Sequence, residues 1–471
     1  MTARGIGFTV GASALTLACI VPTPAGMSRE ALVVAGLVVL MAAWWMTEAL
    51  PLTATALMPF IVLPLAGVSD ARTTASTYYS PILFLLLGGA FIALAIERTG
   101  LHRRLALAIL DALGGRGGQI GLLLAFMVAA AILSMLISNT STALIMMPMA
   151  LAVLAGGGEP GGERSTEGIH GALPMGIAFA ASIGGLGTIV GSPTNAIAVG
   201  LLDEAIGVRI GFAQWMAFGI PVVLLGVPLA AFVVAKVQRV AVSPFDTGAA
   251  RAAISDLPPM GSAERRVLAV VAVTFAAWMT QLVVAPFLPE GSWTDGTIAV
   301  LASLALFVLP DGTGRPLLNW SEADRAPWGV IMMFGGGLAL AAGMGASGLA
   351  EWLGNALLFL EAVPLLVVAL ALVAMVVLIT EFASNVATAS AIIPVVASLV
   401  VALEADPLLL AMPAALAASW GFMLPAGTGP NAIAWSTGNI RIVRMVRAGL
   451  LLDLLGVGLI VGLVWMIAVI V

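Results

Sequence analysis

Charged residues are scarce in this chain. Asp, Glu, Lys and Arg make up 9% of its 471 residues, where a soluble globular protein carries about 25%. Too little polar surface is left to cover a greasy core, which excludes an ordinary soluble fold. Cysteine occurs once, at Cys19, so an internal disulfide and a multi-cysteine metal site are excluded. Histidine occurs twice, at His102 and His170, both in polar stretches; a buried His metal centre or a Ser-His catalytic pair has no material. Lysine occurs once, at Lys236, beside 18 arginines.

What is present is apolar: 61% of the residues are hydrophobic and the mean hydropathy is +1.12. Runs near 31–45, 50–65, 81–96, 267–284, 297–309 and 450–471 approach the roughly 20 residues that cross about 30 Å of hydrocarbon. The stretch 6–21 shows no small-x-small cleavage pattern and reads as a first span. The reading is an all-α integral membrane protein. Its spans are expected near 7–22, 30–47, 50–66, 80–97, 172–201, 213–236, 264–285, 296–310, 327–345, 408–438 and 448–470, with two re-entrant hairpins at 118–152 and 363–402. With the N-terminus inside and the C-terminus outside, only Arg29, Arg72 and Arg209 fall outside, as the positive-inside rule demands. Treating the hairpins as ordinary spans would flip the middle of the chain and weaken that bias.

The chain repeats itself. Leu87-Gly88-Gly89-Ala90 echoes Gly335-Gly336-Gly337-Leu338, and Ser138-Asn139 with Pro148 echoes Ser384-Asn385 with Pro394. Gly191-Ser192-Pro193-Thr194-Asn195-Ala196-Ile197-Ala198 echoes Gly427-Thr428-Gly429-Pro430-Asn431-Ala432-Ile433-Ala434. The topology inverts the second copy, and inverted repeats with interrupted helices mark secondary transporters. The expected division is 1–117 (scaffold helices 1–4), 118–240 (transport part of repeat 1), 241–262 (cytoplasmic linker), 263–360 (scaffold helices 7–9) and 361–471 (transport part of repeat 2).

Polar clusters inside apolar stretches are the candidate site. Ser134, Ser138, Asn139, Thr140, Ser141 and Thr142 lie within the first hairpin, and Thr380, Glu381, Ser384, Asn385, Thr388 and Ser390 within the second. In lipid each unsatisfied group costs several kcal/mol. A hairpin broken at Ser-Asn turns them inward and starts its second arm as a capped helix N-terminus. Two such N-termini facing each other favour an anion. Neither cluster contains Lys or Arg, so a bound cation is expected to complete the charge balance. The Gly-Ser-Pro-Thr-Asn and Gly-Thr-Gly-Pro-Asn segments interrupt two spans and free carbonyl oxygens, hard ligands for a small cation such as sodium, about one per repeat. Ser and Thr also serve in plain helix packing; the duplication argues against that reading here. Glu48 and Glu381 are the acids nearest hydrocarbon, and structural satisfaction is expected of both. Asp453 is expected to pair with Arg447 or Arg444. Trp44, Trp45, Trp215, Trp293, Trp320 and Trp328 sit at span ends as interfacial anchors. The stretch 105–113, with Arg103, Arg104 and Arg116, reads as an amphipathic surface helix.

At these residues the sequence resembles the divalent anion/sodium symporter family, which includes sodium-coupled dicarboxylate and citrate carriers. The likeness runs through Ser138-Asn139-Thr140, Ser384-Asn385-Val386, Thr47-Glu48-Ala49-Leu50-Pro51-Leu52, Ser182-Ile183-Gly184-Gly185-Leu186-Gly187-Thr188 and Phe422-Met423-Leu424-Pro425. It implies a homodimer of about 11 spans plus two re-entrant hairpins in a bacterial inner membrane. A mobile transport part would slide past a static scaffold in an elevator mechanism. It implies one sodium site at Ser134, Ser138, Asn139 and Gly191, and another at Thr380, Ala383, Asn385 and Gly427. Substrate, a small di- or trivalent anion of the C4-dicarboxylate class, would touch Ser138, Asn139, Thr140, Ser192, Ser384, Asn385 and Thr428. No organic cofactor, catalysis or nucleic-acid partner is implied. Val386 stands where the family often has Thr, and Gly429 where it often has Pro, so the choice among dicarboxylate, tricarboxylate and sulfate stays open. Sodium-independent exchange is a rival reading. An intramembrane hydrolase lacks a base for Ser138 or Ser384, and hairpins ending mid-bilayer suit alternating access better than a channel.

Overall fold

The computed structural model describes residues 2–113, 118–157, 166–240 and 259–470. Among these, every regular element is a helix, and one isolated antiparallel bridge joins Pro310 to Pro316. Nine of the helices are long and apolar enough to cross a bilayer, and a tenth if the bent pair beginning at Ser262 counts as one span. Most of the expected linker 241–262 lies outside the described residues, as do Arg116, Arg164 and Arg251 of the inner-face count.

Three expected spans take a different form. The stretch 50–66 is two short helices, Leu52–Thr55 and Met58–Leu65. Pro59, at the start of the second, has no N–H to continue the first helix's hydrogen-bond ladder. Together they rise roughly 21 Å, short of about 30 Å of hydrocarbon. The stretch 264–285 is Ser262–Met279, then a 64° bend into Gln281–Phe287. The bend falls at Thr280, whose backbone leaves helical geometry and whose hydroxyl bonds the Ala276 carbonyl at 2.7 Å. The stretch 296–310 is the 14-residue helix Asp295–Val308; it stops because Leu309, preceding Pro310, is driven into the extended region.

Three tryptophans expected at the interface, Trp44, Trp45 and Trp215, are buried instead. Trp45 and Trp215 are fully buried, and their indole N–H groups donate to the carbonyls of Leu52 (3.1 Å) and Leu186 (2.8 Å). The Leu186 carbonyl belongs to the backbone at a helix end, where the ladder leaves acceptors free.

Both expected hairpins are helix pairs with a break. The first is Gly118–Ser134 and Asn139–Gly157; the second is Leu365–Phe382 and Asn385–Ala402. Both interrupted spans are split. Ile169–Gly185 is followed by Pro193–Ile206, and Pro407–Ala417 by Gly429–Ser436. Ile169–Gly185 is buried on every side except at His170, so it runs through the interior. The first arm of each hairpin packs on the first segment of its own interrupted span. The second arms cross over: Asn139–Gly157 packs on Gly429–Ser436, and Asn385–Ala402 on Pro193–Ile206. The two halves are therefore interlocked around their four helix breaks.

Candidate functional site

The hairpin tips are built by serine caps. Ser138 Oγ accepts from the Ser141 N–H at 3.1 Å, and Ser384 Oγ from the Ala387 N–H at 3.2 Å. Each cap satisfies one orphan donor and leaves the neighbouring N–H groups of the first turn open. Thr428 caps the second interrupted span through the Asn431 N–H at 3.2 Å. Ser192 holds the equivalent place in the first with extended backbone and no cap bond of its own; Pro193 follows, where the missing N–H costs nothing.

Around the first tip, oxygens converge. The Asn139 amide lies 2.7 Å from Ser134 Oγ. There its Oδ1 faces the carbonyls of Gly191 (3.1 Å) and Ala181 (3.3 Å) together with Ser134 Oγ, a ring of oxygens that a cation, or the amide turned over, satisfies. Ser134 is wholly buried. Gly185 and Gly191 are needed as glycines. A Cβ on Gly185 would overlap Asn139 Oδ1, and one on Gly191 would lie 2.6 Å from the Gly185 carbonyl and 2.8 Å from that of Ser134. Thr188 fixes the break: its hydroxyl donates to the Met135 carbonyl (2.7 Å) and accepts from the Gly191 N–H (2.9 Å). Asn195 donates from Nδ2 to the carbonyls of Gly185 and Thr188, both at 2.8 Å.

The second half repeats this plan. Thr380 Oγ1 lies 3.0 Å from Asn385 Oδ1 and donates to the Ala418 carbonyl at 2.7 Å. A Cβ on Gly427 would meet the carbonyls of Glu381 (3.3 Å), Leu424 (3.4 Å) and Thr380 (3.8 Å). Ala383 is buried in extended backbone at the break. Asn431 donates to the Leu424 carbonyl at 3.2 Å. Six of the buried side-chain oxygens without a hydrogen bond fall in repeat-related pairs: Thr142 and Thr388, Ser182 and Ser419, Asn195 Oδ1 and Asn431 Oδ1. Orphan acceptors of this kind are costly unless something fills them. Carbonyl, hydroxyl and amide oxygens without a nitrogen ligand suit an alkali ion.

The two hairpin-tip regions also touch directly. Thr140, exposed at the first tip, reaches the Cα of Gly429, where any Cβ would overlap its Oγ1. Ser138, Asn139, Ser384 and Asn385 are half-buried. Thr188, Asn195 and Asn431 carried no assigned role from the sequence, although all three lie in the duplicated or family-like segments, a signal that was available.

Two acids differ from each other. Glu48 is exposed and lies 3.6 Å from Arg4. Glu381 is buried and accepts from the backbone N–H groups of Met423 (2.9 Å) and Leu424 (3.1 Å). The expected pairing of Asp453 with Arg444 or Arg447 is overturned. Arg444 binds Glu167, and Asp453 is buried beside Glu381. Arg444 and Arg447 lie nine and six residues back along the helix, roughly 14 and 9 Å along its axis.

Residues 8–471 match the model of the sodium:sulfate symporter transmembrane region. The chain is 38% identical to a sodium-dependent dicarboxylate transporter, SdcS, of Staphylococcus saprophyticus, over 98% of this chain and 90% of that one. It is 36% identical to SdcS of Staphylococcus aureus MRSA252, over 99% and 91%. Among solved structures, the YdaH transporter of Alcanivorax borkumensis shares its fold, with a TM-score of 0.55 at 16% identity, over 93% of this chain and 98% of that one.

Proposed function

The chain belongs to the sodium:sulfate symporter family of membrane transporters, and from that premise we propose that it is a sodium-coupled symporter importing small dianions of the C4-dicarboxylate class. The observation that carries this reading is the set of oxygens drawn together around Ser134, Asn139 and Gly191 at the first hairpin tip and around Thr380, Asn385 and Gly427 at the second. Sodium is cargo as well as counter-charge. Ser134, Ser138, Asn139 and the Gly191 carbonyl hold one ion, and Thr380, Asn385 and the Ala383 and Gly427 carbonyls hold another. Two sodium ions balance a dianion.

The anion lies between the tips. Each second arm presents its free N–H groups and about half a positive elementary charge. Side-chain donors at Ser138, Asn139, Thr140, Ser192, Ser384, Asn385 and Thr428 bond its carboxylate oxygens. Without sodium the ring oxygens face one another and the dianion, so neither cargo binds well alone; this is the coupling. The protein sits in a bacterial inner membrane as a homodimer, N-terminus inside and C-terminus outside. The hairpins and interrupted spans move as an elevator against a fixed frame.

The test is uptake of labelled succinate into proteoliposomes. An inward sodium gradient is expected to drive accumulation above equilibrium, and choline in place of sodium to abolish it. Equal uptake in choline, or exchange that runs only against internal dicarboxylate, defeats the symport reading.

A further inference from the structure

The helices Ser262–Met279 and Asp295–Val308 pack on each other and leave a trench of about 540 Å³ along their exposed side. One wall runs from Arg266 through Val273 to Ala277, the other from Ile298 through Ala305 to Leu309. Steps of two turns and one turn keep each set on one face of its helix. Alanines in the walls leave the space between them unfilled. The ends of each wall are 11 residues apart, roughly 16 Å of helix. That is the depth of one leaflet in a bilayer with about 30 Å of hydrocarbon.

Among the described residues, Arg266 is the one charged group in the lining. Thr274 turns its hydroxyl back onto the Val270 carbonyl at 2.7 Å. Trp293, whose carbonyl accepts from Gln281 Nε2 at 2.7 Å, closes the far end. Arg266 donates to the Pro310 carbonyl, which holds its guanidinium across the end where Leu309 lies. A guanidinium has five N–H donors, so the fork has more to give. Arg265 stands next to it, exposed. Neither has an acidic partner among the described residues. The neighbouring acids Glu264 and Asp311 are taken by Arg104 and Arg98. This end of an apolar trench therefore carries positive charge that nothing offsets.

We propose that the trench binds one anionic phospholipid, with an acyl chain between the two helices and the headgroup phosphate on Arg266 and Arg265. A chain that is long, thin and apolar matches the walls, and basic groups between helices at the inner interface attract anionic headgroups. The leaflet rests on the proposed orientation, which places Arg266 inside. A second copy of the protein fits less well. A twofold axis along the trench would set two Arg266 side chains at the same depth, facing each other. Both helices belong to the proposed static frame, so the lipid braces that frame without touching the cargo.

Dioleoyl phosphatidylglycerol and dioleoyl phosphatidylcholine, titrated separately into delipidated protein in neutral detergent and counted by native mass spectrometry, test the site. The wild type is expected to hold one phosphatidylglycerol per protomer about 25-fold more tightly than phosphatidylcholine, about fivefold for each arginine. Arg266→Gln is expected to lose about fivefold of that preference, and Arg265→Gln with Arg266→Gln nearly all of it. Ala269→Phe, at an exposed position in the trench wall, is expected to displace the lipid by filling its place. Equal binding of the two lipids overturns the site, and so does a preference that survives in the double variant. Soluble glycerol phosphate that competes as well as the lipid also overturns it, because phosphate alone was then recognised. So does a dimer that Ala269→Phe splits, because a second copy then fills the trench. Should Ala269→Phe fail to fold, phosphatidylglycerol against glycerol phosphate on the wild type decides whether a chain is held. The counts need neither sodium nor dianion, so a failure of sodium-driven uptake defeats the transport reading and leaves the lipid site standing.

Discussion

At the scale of single residues, the junction between the half-sites is the most exacting position. Gly429 has Thr140 directly over its Cα. An alanine there forces the Thr140 hydroxyl out of the space between the tips, and overpacking of this kind costs about 1–3 kcal/mol. Gly429→Ala is therefore expected to raise the half-saturating dianion concentration roughly tenfold, 1.4 kcal/mol being a factor of ten. Thr140→Ala removes a single donor and is expected to cost only a few-fold, about 0.5–1.5 kcal/mol. It also removes the atom that clashes, so Gly429→Ala should add almost nothing in the Thr140→Ala background. A double-mutant cycle on uptake measures this coupling; additive effects would mean the two residues do not touch in the binding state.

At the scale of elements, a loop network ties the helix Pro81–Thr99 to the segment 311–322. Arg98, from the helix Pro81–Thr99, binds Asp311 at 2.6 Å and Glu322 at 3.1 Å, and Arg315 binds Glu322 at 2.8 Å. The hydroxyl and N–H of Thr313, with the Arg98 guanidinium, hold the Asp311 carboxyl well below the usual carboxylate range. Burial pushes Glu322 up, but the Asn319 N–H and the guanidiniums of Arg315 and Arg98 outweigh it. Folded values below unfolded ones mean that the native state binds fewer protons. The stability they bring is complete above the unfolded carboxyl values of about 4 and is lost as pH falls through the folded ones. Arg98→Gln is expected to lower the melting temperature at pH 7, by a margin that narrows as pH drops below about 4; a margin constant across pH would refute the ion-pair account. None of this network could be read in advance, because Asp311 and Glu322 lie more than 200 residues from Arg98 and carry no periodic signal. The breaks were legible, since Ser-Asn, Gly-Ser-Pro and Gly-Pro-Asn each state a local backbone requirement. Helix ends were less so. Thr280 and Pro59 bend or split stretches whose hydrophobicity continues unbroken, and hydrophobicity alone cannot register a bend. The partner of Asp453 was missed for a related reason: sequence proximity favoured Arg447, while helix geometry turned the acid to the opposite side.

At the scale of the whole molecule, the repeat is symmetric in backbone but opposed in charge. Arg103 and Glu351 lie 248 residues apart, the offset of the duplicated glycine runs, on the short helices Leu101–Leu113 and Leu349–Leu357. Each lines a crevice against the second arm of a hairpin, next to Pro148 in one case and Pro394 in the other. The first crevice, about 360 Å³, carries His102 and Arg103. The second, about 640 Å³, carries Glu204 and Glu351. No ion pair holds Arg103 among the described residues. On the proposed inverted layout the basic crevice opens inside and the acidic one outside. A unit charge about 10 Å from a dianion in water is worth roughly 0.8 kcal/mol, about fourfold in occupancy. Arg103→Gln is therefore expected to raise the half-saturating dianion concentration about fourfold at the inner face only. Glu351→Gln is expected to raise the half-saturating sodium concentration at the outer face only. Both shifts should fade at high ionic strength, where screening shortens the reach of a surface charge to a few ångströms. Inside-out and right-side-out vesicles separate the faces. Equal shifts at both, or shifts that survive about 1 M choline chloride, a Debye length of about 3 Å, would show that the crevices do not lie on opposite sides of the membrane along the path of the ions.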